Sequence, residues 1–402
     1  MSSESGPTPP SERIVSLDAL RGFALLGILP INIWVFSMPE AVLLNPTVYG
    51  DFTGVNYAVW LGSYIFAQQK LITLFTIMFG AGVVLFTESK QQADQPVLRL
   101  HYRRTVWLLL IGLAHAYLLW YGDILVTYGL SALLIVHARH WQPSRQARVA
   151  IYLLVIPSVL EITAGLSPGA AGLSAQWTPP EAAIQREIET YLGGWLTQME
   201  HRIPTAFRRQ TVGFLFYSVW RTSGLMLFGM ALFRRGVLSN ERDSRFYFKL
   251  VGVGSVIGMS LILTGVLYIS SQDWAVEAAL FWRQFNYWGS LFLAGAYIGG
   301  VMLYCRRRPE GVVTKSLVAV GRTAFSNYLL QTVLATSIFY GHGLGLFGQL
   351  SRIELLGVVV SIWAVQIPLS VFWLRYFRFG PVEWVWRVLT YKELQPIRKS
   401  RG

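Results

Sequence analysis

The chain is poor in charge and in cysteine. Only 14% of its 402 residues are charged, whereas soluble globular domains carry about 25%, and its mean hydropathy is +0.44. Its single cysteine, Cys305, excludes an intrachain disulfide. Three arginines follow it directly, at residues 306–308, which indicates a reducing, cytoplasmic loop. This composition is far from that of a soluble globular domain.

Several motifs of known chemistry are also absent. There is no GxxxxGK[ST] loop, which excludes a P-loop ATPase. The six histidines show no HExxH motif and no paired metal spacing, so no metal site is predicted. The net charge of +13 is not accompanied by a basic stripe or an aromatic stacking motif, so no nucleic-acid partner is expected.

What the chain does contain is apolar runs long enough to cross a bilayer. In lipid each backbone N–H must be satisfied within its own segment, and the alternating pattern of a membrane β-barrel is absent, so these runs are predicted to be helices. We therefore predict an all-α integral membrane protein with about ten transmembrane helices. The predicted spans are Leu17–Met38, Gln68–Thr87, Thr105–Trp120, Asp123–Val136, Ala147–Leu166, Thr211–Phe233, Leu250–Ile269, Tyr287–Tyr304, Leu317–Tyr340 and Ile353–Tyr376.

The basic residues fall in alternate connections between these runs. They cluster at 90–104, 139–148, 234–249 and 306–315 and in the tail at 375–401, whereas connections 42–57, 121–122 and 272–282 have none. Cytoplasmic loops of membrane proteins carry the excess of lysine and arginine. The pattern predicts a multi-pass protein of the inner (plasma) membrane with both termini in the cytoplasm.

The predicted organisation has five regions. They are a Ser/Pro-rich, disordered segment (1–13), helices one to five (14–166), an extracytoplasmic loop (167–210), helices six to ten (211–376) and a cytoplasmic tail with an interfacial helix (377–402). The loop contains a predicted amphipathic helix from Glu181 to Met199. This helix is either a lid lying on the bilayer or a gate over an outer cavity.

Ionisable side chains inside membrane helices are costly and usually face a cavity or a partner. An outer layer of them comprises Lys70, His115, Asp123, Glu161 and Arg283. Because only residues 120–122 join spans three and four, His115 and Asp123 are expected at similar depth on adjacent helices. A carboxylate beside a histidine holds its tautomer, as general-base catalysis needs. The alternative is a structural hydrogen bond that pins the hairpin.

A second, inner layer lies near the predicted cytoplasmic side. It comprises Asp18, Arg21, Arg322, Ser326, Asn327, Gln331, Glu383 and Arg387. One interpretation is snorkelling arginines paired with local acids, together with polar contacts between helices. The other is a vestibule for an anionic cofactor, because arginines bind phosphate in bidentate fashion.

Two polar residues lie deeper in the predicted helices. Asn32 follows Pro30 in span one, and Arg221 lies in the middle of span six. An arginine at that depth costs about 2.5 to 3.5 kcal/mol on insertion scales. We expect Arg221 to meet an acid or a polar cavity between the two layers.

Four segments resemble the YeiB-like family of bacterial membrane proteins, over nearly the whole chain. They are SLDALRGFA at 16–24 with Asn32, LAHA at 113–116 with LWYGDIL at 119–125, GRTAFSNYLLQ at 321–331, and FGPVEWVWR at 379–387. The activity of this family is largely unassigned. The resemblance therefore identifies a family without identifying a reaction.

The opening with Asp18 and Arg21 is also similar, at greater distance, to membrane acyltransferases such as the heparan-glucosaminide acetyltransferase group. That resemblance implies transfer of an acyl group from cytoplasmic acyl-CoA to a sugar on the far side of the bilayer. A histidine near the outer end of the early helices acts in that group, but no histidine lies between residues 38 and 70 here. His115 would have to substitute for it.

Two main hypotheses follow. In trans-bilayer acyl transfer, Arg21 and Arg322 hold the CoA phosphates, and His115, oriented by Asp123, deprotonates an extracytoplasmic glycan or small acceptor. Lys70 or Arg283 then stabilises the oxyanion. In the alternative, the protein is a transporter or flippase, and Arg221 lies at the site for an anionic substrate or lipid. A membrane scaffold or sensor is a third possibility. The substrate and the oligomeric state are not indicated by the sequence.

Overall fold

The computed structural model of the protein describes residues 14–166 and 171–399. Within these ranges the chain is helical, and an isolated antiparallel bridge between Phe377 and Arg398 is the only strand-like pairing. This confirms the predicted all-α class. The predicted disordered segment at 1–13 lies outside the described residues.

The helices follow one another with short connections. They are α1 (Val15–Ser37), α2 (Gly54–Phe66), α3 (Lys70–Gln92), α4 (Val97–Ala114), α5 (Leu125–Ile135), α6 (Pro143–Leu166), α7 (Ala171–Trp177), α8 (Glu181–Leu192), α9 (Met199–Arg208), α10 (Val219–Arg234), α11 (Ser244–Ser271), α12 (Val276–Arg307), α13 (Val312–Arg322), α14 (Ala324–Phe339), α15 (Arg352–Tyr376) and α16 (Pro381–Tyr391).

Several of these helices are long and apolar enough to cross a membrane. In the described part of the chain there are six such stretches, namely α1, the α2–α3 pair, α6, α11, α12 and α15. A helix needs about 20 apolar residues to span the hydrocarbon core. The fold is therefore that of a polytopic membrane protein.

The other predicted spans are shorter or interrupted. α4 ends at Ala114 and continues as a π-helical turn to Leu119, and a π-helical segment, Arg209–Ser218, precedes α10. Span nine is broken at Thr323, between α13 and α14. The break is stabilised from the tail, because the Glu383 carboxylate accepts hydrogen bonds from the backbone N–H groups of Phe325 (2.7 Å) and Ser326 (3.1 Å) at the start of α14.

Two connections differ from the prediction. Helix α2 begins inside the supposed loop 42–57, and it meets α3 at Gln69, whose φ of 68° breaks the helix. The helix expected from Glu181 to Met199 ends at Leu192, and a second helix, α9, begins only at Met199. Gly193 and Gly194 follow the end of α8, and glycine disfavours helix continuation.

Helix α1 occupies the centre of the bundle and packs against α3, α12, α13, α14 and α15. It crosses α13 at very short range, because a Cβ atom at Gly22 would overlap the carbonyl of Leu317 and one at Gly321 would overlap the carbonyl of Asp18. Farther along α1, Pro30 cannot donate to the carbonyl of Leu26, and the Trp363 indole N–H of α15 donates to that carbonyl instead, at 3.2 Å.

The α1–α13 crossing yields a stability prediction. Gly321→Ala should destabilise the protein by about 1 to 3 kcal/mol, because the added methyl group must push two backbones apart. Thermal unfolding in detergent measures the effect. Gly300→Ala in α12 is the matched control, since a Cβ at Gly300 meets nothing within 4 Å. Equal melting temperatures for the two variants would contradict the close crossing.

Candidate functional site

The structure brings His115 and Asp123 into contact. His115 is the first residue of the π-helical turn after α4, and Asp123 lies just before α5. The His115 Nδ1 atom lies 2.7 Å from Asp123 Oδ2, and the two side chains are 1% and 0% exposed. The other carboxylate oxygen of Asp123 accepts from the Val126 N–H at 2.9 Å, which anchors the carboxylate at the start of α5.

The second ring nitrogen of His115 faces a hydroxyl. Its Nε2 atom lies 2.9 Å from Thr332 Oγ1, on α14. When the Nδ1–H donates to Asp123, Nε2 is left as the acceptor for a hydroxyl proton. An imidazole held by a carboxylate at one ring nitrogen and facing a hydroxyl at the other has the arrangement of a general base with its orienting group.

Thr332 was missed in the sequence analysis. It adjoins Gln331, which was singled out, but a threonine hydroxyl inside a helix normally bonds its own backbone. Only the packing of α14 against the α4–α5 hairpin shows that its hydroxyl meets His115. No local sequence signal could have identified it.

A cavity of about 360 Å³ lies between α1, α3, α4, α5, α14 and α16. Its lining includes six cationic side chains and two acidic ones. The cationic residues are Arg21, Lys90, Arg104, Arg322, Arg378 and Arg387, and the acidic ones are Asp18 and Glu383. Their excess of positive charge suits an anionic ligand.

The remaining walls are largely apolar and aromatic. Phe75, Met78 and Phe79 of α3 and Leu108 of α4 contribute to them, and Tyr128 and Tyr328 also line the cavity. The Tyr328 ring lies 5.1 Å from the His115 ring, centroid to centroid. Tyr328 therefore lies between the cavity and the histidine.

The predicted inner layer is divided between the cavity and the helix contacts. Arg21 pairs with Asp18 at 2.8 Å, and Arg322 donates to the Arg378 carbonyl at 3.1 Å. Glu383 caps α14, so its carboxylate is engaged by backbone N–H groups and by Ser326. The interpretation of arginines paired with acids thus describes Arg21.

Asn327, Gln331 and Asn32 are not among the cavity-lining residues in the part of the chain that the structure describes. Asn327 donates to the hydroxyls of Thr323 and Ser370, both at 2.9 Å. Gln331 donates to Gln366 at 3.0 Å. These are polar contacts involving α14 and α15. Asn32 is half-buried in α1.

Three further predicted site residues, Lys70, Arg221 and Arg283, make their contacts away from His115. Lys70 donates to the Tyr64 carbonyl at 2.7 Å, and Arg283 lies over the Trp177 ring at 5.9 Å. Arg221 donates to the hydroxyls of Thr73 and Ser290, so of the two expected surroundings, an acid or a polar cavity, the acid is not among its described partners. No contact in the described chain therefore supports Lys70 or Arg283 as the oxyanion partner at His115.

The predicted outer connection docks on the hairpin that carries His115. Arg202 of α9 is fully buried and donates to the Leu118 carbonyl in the π-helical turn at 2.9 Å. The Tyr191 ring of α8 packs against Tyr340 and Phe347, at centroid distances of 4.7 and 4.8 Å. These contacts place α8 and α9 over the hairpin and the end of α14. The lid and the gate interpretations both stay predictions.

A group of acidic and basic side chains, which we name the outer cluster, links α8 and the end of α9 to the connection that follows α1. It comprises Glu40, Glu187, His201, Arg208 and Arg209. Arg209 lies 2.7 Å and Arg208 3.1 Å from the Glu40 carboxylate, and Glu187 accepts from the Glu40 N–H at 3.0 Å.

The pKa values of the two glutamates in the outer cluster are shifted in opposite directions. Burial raises the pKa of Glu187 to about 7, and the neighbouring Glu40 charge adds to the effect. Burial acts on Glu40 as well, but the charges and hydrogen bond of Arg209 and Arg208 outweigh it, so the pKa of Glu40 is below its usual value. Burial lowers the pKa of His201.

The raised pKa of Glu187 yields a pH prediction. Because the pKa of Glu187 is higher in the folded protein than in the unfolded chain, proton binding by Glu187 stabilises the folded state. This contribution to the free energy of unfolding is complete below the unfolded pKa of 4.5 and is lost as the pH rises through the folded pKa of about 7. The wild-type protein should therefore lose melting temperature, relative to Glu187→Gln, between pH 5.5 and pH 8. His201 acts in the opposite direction below its usual pKa of 6.5. Because its Nε2 atom lies 3.9 Å from Glu187 Oε1, the decisive part of the comparison is the range above that pH.

The control for this measurement is Glu181→Gln, which removes an exposed carboxylate from the same helix. It should follow the wild-type response. Identical pH responses of wild type and Glu187→Gln would contradict a raised pKa at Glu187.

Comparison with known proteins places the chain in a family. Residues 232–393 match the family model described as protein of unknown function, DUF418. The chain is 35% identical over 390 residues to the uncharacterized protein YeiB of Escherichia coli strain K12, covering 96% of this chain and 98% of that protein. It is 32% identical over 410 aligned residues to the uncharacterized protein YxaH of Bacillus subtilis strain 168, covering 98% of each. The chain therefore belongs to the DUF418 family of YeiB-like proteins.

Proposed function

We propose that this protein is a transmembrane acyltransferase, which moves an acyl group from cytoplasmic acyl-CoA to a hydroxyl or amine of an extracytoplasmic glycan or small acceptor. One observation carries the proposal: a cavity rich in cations reaches Tyr328, and the ring of Tyr328 lies against the imidazole of a buried Asp123–His115–Thr332 row.

The proposed topology is about ten membrane helices in the inner membrane with both termini in the cytoplasm. The distribution of cations supports it. The basic residues around the cavity come from the start of α1, the end of α3, the start of α4, the end of α13 and the tail, all of which are predicted to lie on the cytoplasmic side. Residues distant in sequence thus meet on one predicted side.

The cavity fits the chemistry of acyl-CoA. Its cations suit the phosphate groups of CoA, and guanidinium groups bind phosphate through paired N–H donors. Its aromatic and aliphatic walls suit the narrow pantetheine arm and an acyl chain, and its volume is in the range of small-molecule sites. Arg21 and Arg322 are the proposed phosphate ligands, and the thioester is placed towards Tyr328.

The proposed reaction is a direct transfer. The oxygen or nitrogen atom of the acceptor attacks the carbonyl carbon of the thioester, and His115 Nε2 takes the proton from that oxygen or nitrogen. The carbon–sulfur bond breaks, and the proton passes from His115 to the leaving CoA thiolate. Asp123 holds the tautomer and stabilises the imidazolium. The Thr332 contact shows that a hydroxyl can lie within hydrogen-bonding distance of Nε2.

The helices of the outer connection, α8 and α9, also have a proposed role. Because α8 and α9 cover the hairpin that carries His115, the acceptor is proposed to reach the histidine from their side when they open. While they are closed they exclude water, which would otherwise hydrolyse the thioester.

A transporter or flippase for an anionic substrate or lipid is the second candidate, because two cations are buried at Lys70 and Arg221. It does not account for the Asp123–His115–Thr332 row. A transporter predicts substrate counterflow in proteoliposomes without consumption of acyl-CoA. An acyltransferase predicts consumption of acyl-CoA without substrate counterflow.

Acyl-CoA binding is the first test. Acyl-CoA should raise the melting temperature of the wild-type protein, and Arg21→Met and Arg322→Met should reduce that shift because phosphate ligands are lost. Arg307→Met is the control, since this arginine does not line the cavity. Equal shifts in all four proteins would exclude the cavity as the CoA site.

The second test concerns the histidine. His115→Ala should reduce incorporation of labelled acyl groups into extracytoplasmic glycan by about 100-fold or more, because the general base is lost. It should leave the acyl-CoA melting shift intact, because His115 does not line the cavity. Undiminished acylation by the folded variant would remove His115 from the mechanism.

A further inference from the structure

A second group of buried cations lies outside the cavity. Lys70 of α3 and Arg221 of α10 are 0% and 6% exposed. Both contact α12, Lys70 through Asn286 and Arg221 through Ser290. Neither cation lines the cavity in the part of the chain that the structure describes.

Every polar partner of these two cations is neutral. Lys70 Nζ donates to the Tyr64 carbonyl at 2.7 Å and to the side-chain oxygen of Asn286. Arg221 Nη2 donates to Thr73 Oγ1 at 3.0 Å and to Ser290 Oγ at 3.1 Å. Among the described residues, no carboxylate lies within 4.0 Å of either cation.

One donor of this group is unused. Arg221 Nη1 is buried and has no hydrogen-bond partner among the described atoms. The Arg221 Cζ atom lies 4.1 Å from the centroid of the Tyr287 ring. This ring and the two hydroxyls on Nη2 hold the guanidinium in place while Nη1 stays available.

Two buried cations without a counter-charge are unfavourable in an apolar environment. An anion that binds both would relieve this cost, and a guanidinium with hydroxyl neighbours is a typical phosphate ligand. We propose that Lys70 and Arg221, with Thr73 and Ser290, form a binding site for a phosphate-type anion that is separate from the acyl-CoA cavity.

The position of the site indicates the side from which its ligand comes. Lys70 is the first residue of α3, and Lys90, which lines the cavity, is near its last. At 1.5 Å per residue the two lysines are about 30 Å apart along the helix axis. The site is therefore at the end of α3 remote from the cavity cations, in the half of the protein that is predicted to face outwards.

The helix leading into the site is irregular. The π-helical segment Arg209–Ser218 ends three residues before Arg221, and none of its residues is fully buried. π-helical segments are frequent at functional sites. Tyr217 of this segment lies 6.4 Å, centroid to centroid, from the Tyr287 ring beside Arg221. The proposed ligand group is a phosphate, which either the headgroup of an anionic lipid or a free phosphate compound can supply.

Thermal unfolding of the full-length, delipidated protein in a neutral detergent tests the site. The probes are phosphatidylglycerol, phosphatidylcholine and inorganic pyrophosphate. With the cavity saturated by acyl-CoA, phosphatidylglycerol or pyrophosphate should raise the wild-type melting temperature by several further degrees, and Arg221→Met should lose this further shift. A shift with phosphatidylglycerol alone identifies a lipid headgroup, and a shift with pyrophosphate as well identifies a free phosphate compound.

The unliganded variant adds a second readout. Without an anion, Arg221→Met should melt at or above the wild-type temperature, because an uncompensated charge is removed. Arg234→Met is the control from the same helix, since Arg234 pairs with Glu88 at 2.9 Å. It should keep the full anion shift. Arg221→Met should keep the acyl-CoA shift, which separates this site from the cavity.

The proposal is overturned if neither phosphatidylglycerol nor pyrophosphate raises the wild-type melting temperature more than phosphatidylcholine does, or if Arg221→Met retains the shift. A large loss of stability in unliganded Arg221→Met would also overturn it, because Arg221 would then be a structural brace. If that variant does not fold, native mass spectrometry of the wild-type protein decides. Retention of phosphatidylglycerol over phosphatidylcholine, or of pyrophosphate, supports the site, and retention of none contradicts it.

Discussion

The structure depends on one constraint: polar groups inside an apolar bundle must find partners within the protein. The Asp123–His115–Thr332 row satisfies it by linking three helical segments, since the carboxylate precedes α5, the imidazole ends α4 and the hydroxyl belongs to α14. The same constraint is met where Trp363 serves the carbonyl that Pro30 leaves free and where Glu383 caps α14. At Lys70 and Arg221 the described partners are neutral and Arg221 Nη1 has none, which is the basis for the anion site proposed there.

These polar contacts also relate the parts of the proposed mechanism to one another. The close crossing of α1 and α13 brings Arg21 and Arg322 to one cavity, and Glu383 holds the tail helix α16 beside them. On the other side of Tyr328, the outer helices cover the hairpin that carries His115. The proposed function places donor binding and acceptor access on opposite sides of a single buried histidine.

The sequence predicted what depends on local spacing and on composition. The all-α class followed from apolar runs, and the meeting of His115 with Asp123 followed from a connection of only three residues, 120–122. The breaks at Gln69 and Thr323 could not be predicted, because one is a single left-handed residue and the other is stabilised by Glu383 from 58 residues away. The contact of Thr332 with His115 and the neutral partners of Arg221 could not be predicted either. They arise from the packing of helices that are distant in sequence, and the pattern of charges does not indicate which hydroxyl groups will be neighbours.

The central claim is that the cavity holds acyl-CoA with its thioester directed at His115. The most direct measurement is an experimentally determined structure of the wild-type protein with a non-hydrolysable acyl-CoA analogue. The account predicts density for the phosphates at Arg21 and Arg322 and for the acyl end beside Tyr328. Density for the analogue elsewhere, or a cavity filled by lipid at saturating analogue, would contradict it.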